Sequence, residues 1–183
     1  MLFPTASLAL LLGSLSHLTS ALPLDTTLTA TAELSHHNIY LATCTPRDSS
    51  VGTSGAKFSA GAYFKYPINA TEYIGDTKDP RSDHGVLVSD PASAWEGIRY
   101  RAKAWGEKTF SSDIPAGADS LEKGQIAGTV SLAREGYTEN FICFRDGKTG
   151  VRVKEDDGIR GNCVADYWCP SISEKRKKDD DDS

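Results

Sequence analysis

Histidine, metal-ligand spacings and long apolar runs are all scarce in this chain, and each shortage excludes something. Four histidines stand among 183 residues, at 17, 36, 37 and 84. Adjacent His36 and His37 point to opposite faces of an extended chain and cannot easily share a metal. No close Cys-x-x-Cys pair occurs, which argues against zinc. The run Glu155-Asp156-Asp157-Gly158 lacks the alternating ligands of a calcium loop and reads as a charged turn. No metal and no cofactor is expected. Serine-hydrolase chemistry wants a nucleophile elbow, G-x-S-x-G, and Gly52-Thr53-Ser54-Gly55 is too short for it. No internal repeat and no amphipathic helix of three turns is visible.

No apolar run reaches the roughly 20 residues of a membrane span. Residues 8–12 (LALLL) are followed by Gly13, Ser14, Ser16 and His17, and no second such run exists. Thr19, Ser20 and Ala21 are the small residues that a signal peptidase reads, so residues 1–21 are expected to be a leader cleaved after Ala21. Removing those 21 from 183 leaves 162 residues, one domain's worth and enough for a real core. With neither a spanning segment nor an apolar C-terminal tail, no membrane anchor is expected.

Charge excludes a second class. The chain carries 20 Lys and Arg against 25 Asp and Glu, a net charge of −5. An acidic protein is a poor non-specific binder of phosphate backbones, so it should not coat nucleic acid. A local site acting on RNA is not excluded by this. Residues 174–183 (EKRKKDDDDS) hold no apolar side chain and are expected to be a disordered tail. Its Lys175-Arg176 pair is a candidate for trimming by a processing protease.

What is present is short alternation. Residues 22–37 are expected to be a flexible arm, and residues 38–173 a single β-rich domain. Residues 38–45 (NIYLATCT) alternate with period two and read as a strand. Further strands are expected at 60–66, 84–88, 98–105, 109–114, 125–132 and 140–145. Asp146 to Gly150 reads as a turn returning through 151–154, a hairpin with a longer loop. Residues 163–169 (CVADYWC) form a closing aromatic segment. Residues 92–97 and 116–123 have a helical tint. The class is all-β: an antiparallel β-sandwich or small barrel with minor helical turns.

Four cysteines, Cys44, Cys143, Cys163 and Cys169, behind a leader read as two disulfides in an oxidising compartment. Cys44 with Cys143, both in strong strands, and Cys163 with Cys169 is the preferred pairing. Cys44 with Cys169 and Cys143 with Cys163 is the runner-up. Candidate site residues are few. His84 follows Asp83 and opens a strand, as a general base beside a carboxylate would, with Glu72, Glu96 or Glu135 as a possible partner. Arg99, Arg101 and Lys103 form a basic stripe on one strand face, most simply an outward face. Asn69-Ala70-Thr71 is a glycosylation sequon.

The leader, the mature length, the four cysteines, NIYLATC near the start, QIAGTVSL then FICFRDG, and the closing CVADYWC together resemble small secreted, effector-like proteins of filamentous fungi. The resemblance implies extracellular release and action on a host or competitor; it assigns no functional residue. The leading expectation is a secreted, monomeric β-protein that binds an extracellular host or cell-wall component. A small secreted hydrolase, ribonuclease-like, with His84 as base, is the competing class. A self-associating surface protein is a third.

Overall fold

The alternating segments become nine antiparallel strands in a computed structural model that describes residues 35–47, 56–68, 80–154 and 160–173. They are β1 (Asn38–Pro46), β2 (Phe58–Phe64), β3 (His84–Ser89), β4 (Arg99–Lys103), β5 (Thr109–Asp113), β6 (Ile126–Arg134), β7 (Tyr137–Arg145), β8 (Gly150–Lys154) and β9 (Arg160–Pro170). The leader with Ala21, the sequon at Asn69, Glu72, and the Lys175-Arg176 pair lie outside the described residues. The helical tint at 92–97 yields no helix. That at 116–123 yields one 3-10 turn, Ala118–Ser120.

The sheet runs β3-β2-β1-β9-β7-β6-β5-β4, and its end strands β3 and β4 approach each other, so it nearly closes into a barrel. Inside lie Ile39, Leu41, Val86, Phe110, Val130, Leu132, Phe141 and Tyr167. A second core sits on the opposite face of the β2-β1-β9 wall, built from Tyr40, Ala42, Cys44, Phe58, Ala60, Phe64, Val151, Val153 and Ala165. Both faces of β1 are therefore buried, which is why NIYLATC is apolar at almost every position. β8 covers the second core. It pairs with β9 on one side, and Arg152 exchanges backbone hydrogen bonds with Pro80 and Ser82 on the other.

A single extra residue lets β9 serve both cores. Its register against β1 slips between Leu41 and Ala42, leaving Asp166 as a bulge. A one-residue slip moves alternate side chains to the other face. Cys163 and Ala165 therefore point into the second core, while Tyr167 and Cys169 point into the barrel. The same bulge is where the neighbour of β9 changes from β7 to β8. The expected hairpin between 140–145 and 151–154 does not form. The Asp146 carboxylate accepts the amides of Lys148 and Thr149, and the amides of Asp146 and Gly147 bond to β9 carbonyls. The turn thus runs along β9, and β7 and β8 share its edge.

The disulfides follow from this register. Cys44 and Cys163 are direct partners across β1 and β9 and are bonded. Cys143 and Cys169 lie one step beyond the Phe144–Trp168 pair of β7 and β9 and are also bonded. Both expected pairings are corrected to this third one. Cys44 and Cys143 sit on opposite sides of β9, not on neighbouring strands. Cys163 and Cys169 lie along one extended strand, which cannot bend back on itself.

Candidate functional site

Antiparallel strands bring alternating starts and ends to one rim. The barrel end where β1, β3, β5 and β7 begin and β2, β4, β6 and β9 finish carries a pocket of about 440 Å³. His37, Tyr63, Lys65, Asp83, His84, Trp105, Lys108, Arg134, Tyr137 and Glu139 line it, with Leu132 at its floor. Barrel mouths are a favoured place for ligand sites.

The histidines enter by strand parity. His37 shares the inward face of Ile39 and Leu41, and the Nδ1 of its ring lies 2.9 Å from Glu139 Oε1. Glu139 shares the inward face of Phe141 and Cys143 and is 7% exposed. Ser171 Oγ donates to the same carboxylate oxygen at 2.8 Å, and the Ser171 amide bonds the His37 carbonyl. Burial by itself would raise the Glu139 carboxyl, but hydrogen bonds from His37 and Ser171 and the His37 charge hold it below the usual carboxylate range. With Nδ1 engaged by the carboxylate, Nε2 lies on the far side of the imidazole.

His84 is the direct cross-strand partner of Tyr63. Its ring stacks on Trp105, centroids 4.5 Å apart and planes 8° from parallel. Tyr63 touches both imidazoles, at 5.2 Å from His37 and 6.0 Å from His84. Trp105 and Lys108 are held together by the β4–β5 turn. Gly106 and Glu107 both have positive φ, the requirement of a type I′ hairpin turn. Lys108 Nζ then lies 5.0 Å from the centre of the Trp105 ring. Arg134 and Tyr137 are the last pair of the β6–β7 hairpin.

Lys65, Lys108 and Arg134 face Asp83 and Glu139 at this mouth, so it is locally cationic on a chain of net charge −5. Both carboxylates have internal partners: Glu139 as above, and Asp83 through the Lys65 amide at 2.7 Å. Among the described residues, no group of three or more His, Cys, Asp and Glu side chains is placed to hold a metal.

The opposite end of the barrel is acidic and capped. Trp95, 2% exposed, plugs it and donates its indole N–H to Asp166 Oδ2 at 3.2 Å. Thr43 donates to the same oxygen, and the Tyr167 hydroxyl donates to Glu96. Burial raises the Asp166 carboxyl, with the Glu96 and Asp146 charges adding to the effect against the Thr43 and Trp95 hydrogen bonds.

His84 is thus in the pocket beside Asp83; of its expected partners, Glu96 lies at the far end, and Glu135 is exposed in the β6–β7 turn without lining the pocket. Arg99, Arg101 and Lys103 lie on the exposed face of β4, where Arg99 pairs with Asp113 at 2.7 Å. His37 and Glu139 were missed as a pair. Their signal was parity: each carries a titratable group at an inward position of an otherwise apolar alternation. No family model, curated protein or solved structure matches this chain.

The buried Glu139 and the half-buried Asp166 make opposite contributions to stability. Glu139 titrates lower in the fold than unfolded, so its contribution is present above its ordinary value of 4.5 and is lost as pH falls through its folded value. Asp166 titrates higher in the fold, so acidification through its raised value relieves a burial cost. Glu139→Gln is expected to remove a loss of stability at acid pH. Asp166→Asn is expected to remove a gain that begins at milder pH. Melting temperature against pH checks both; a profile unchanged in either variant would contradict the assignment.

Proposed function

We propose that this is a secreted protein that works outside the cell by binding, and that its barrel mouth takes up a ligand carrying both a phosphate and an aromatic ring. One juxtaposition carries this reading: three cations, Lys65, Lys108 and Arg134, line the same pocket as the ring group Tyr63, His84 and Trp105. Cations match a phosphate, and aromatic faces match a flat base at about 1–3 kcal/mol per stacked ring. The two disulfides and the leader-like first segment support an extracellular setting. The net acidity keeps the attraction local, which favours a single captured nucleotide unit, from a host or a competing cell, over coating of a polymer.

Calorimetric titration tests this. A nucleoside monophosphate is expected to bind saturably and more tightly than inorganic phosphate or the nucleoside alone. Lys108→Ala is expected to weaken it about tenfold, the equivalent of about 1.4 kcal/mol. Equal affinity for nucleoside and nucleotide, or no saturation in the millimolar range, would sink the proposal.

A further inference from the structure

The mouth holds more than a binding site needs. A pocket that only captured a phosphate and a base would be complete with its cations and rings. This one also presents two imidazoles on either side of Tyr63, in different settings. His37 has a buried carboxylate on Nδ1, the arrangement that orients an imidazole and stabilises the imidazolium formed when Nε2 takes a proton. His84 lies flat on the Trp105 face, across Tyr63 from His37. The first has the oriented setting of a general base, and the second stands where a partner imidazole would complete an acid–base pair.

We infer that the mouth is an acid–base site that cleaves single-stranded RNA, with His37 as base and His84 as acid. This rests on the phosphate-and-base reading above and adds an activity to it. RNA carries its own nucleophile next to the phosphate, so no metal, water or co-reactant is needed for the first step. His37 Nε2 takes the 2′-hydroxyl proton as the 2′-oxygen bonds to phosphorus. The bond from phosphorus to the 5′-oxygen breaks, and that oxygen receives the His84 proton. The products are a 2′,3′-cyclic phosphate end and a 5′-hydroxyl end. Net proton count is unchanged, and exchange with water resets both histidines. Lys65, Lys108 and Arg134 offer charge to the phosphoryl oxygens as negative charge builds there. Glu139 is a positioning residue that acts through His37.

The test uses the secreted product of the full chain, with a short single-stranded RNA and a DNA of the same sequence. The expected result is binding of both, cleavage of RNA alone, and cyclic phosphate ends by mass spectrometry. His37→Ala and His84→Ala should each lower kcat by about 100- to 10,000-fold; nucleotide affinity should change little in His37→Ala, whereas His84→Ala also removes one ring of the stacking group. Glu139→Gln retains an acceptor for His37 and Ser171 but loses the charge. Assayed well below its melting temperature, it should lower kcat with KM held, and rescue by Glu139→Asp should be partial, which a purely structural role would not do. His37→Gln stands in if the alanine variant does not fold. RNA that is bound but stays intact, or cleavage that survives both histidine variants, overturns the activity and leaves the binding reading standing. RNA neither bound nor cut overturns the activity, and if the nucleoside monophosphate also fails to bind, the binding reading falls with it.

Discussion

Replacing Cys44 and Cys163 together by alanine is expected to lower the unfolding free energy by about 5 kcal/mol. The bond closes a loop of 119 residues, against 26 for Cys143–Cys169. Chain-entropy cost grows with the logarithm of loop length, which puts the second double variant at about 3.5 kcal/mol. Both variants delete the same atoms from buried positions, so the difference of about 1.4 kcal/mol reports loop length rather than side-chain burial. A small domain holds only about 5–15 kcal/mol in total, so the first variant should be marginal at body temperature. Urea midpoints of the two variants check the order; a larger loss from the Cys143–Cys169 pair would contradict it.

Trp95→Ala should cost about 3–5 kcal/mol, the range for deleting a fully buried aromatic side chain. Trp95 is the bulkiest fully buried residue and closes the end of the barrel opposite the pocket. It also supplies one of the two side-chain donors that satisfy Asp166, whose ionised form is already disfavoured by burial. Trp95→Phe keeps most of the ring and loses the donor, so it separates the two contributions. About 1–2 kcal/mol is expected for it, the cost of leaving a buried acceptor short of one partner. Nucleotide binding should survive Trp95→Phe, since the mouth shares no side chain with this cap. Loss of both stability and binding in Trp95→Phe would show that the two ends are coupled.

Most strands were legible because alternation is a local signal. Residues 38–45 were expected as a strand and Asn38–Pro46 is one; the stripe at 98–105 became β4 with its basic side chains outward. The helical tint at 92–97 comes from Ala92, Ala94 and Glu96, whose local preference for helix is weak and is overridden here. What holds that segment is the burial of Trp95 and the Tyr100 hydroxyl bonding the Ala94 carbonyl, both tertiary facts. The candidate site was half legible. His84 stood out beside Asp83 at a strand start, whereas Glu139 looked like one more polar residue in TEN until its inward parity placed it against His37.

The sequence alone determined the β class, the number of disulfides and the face on which most side chains fall. Each is a property of period-two alternation or of composition, and needs no knowledge of neighbours. The tertiary structure alone decided which strands lie side by side. The extra residue at Asp166 turned Cys163 and Cys169 toward different cores and gave each a partner on a different strand. The same ordering carried His37 and Glu139, 102 positions apart, to one rim. Parity tells a side chain which way to face; only register, set by packing across long loops, tells it what it will meet.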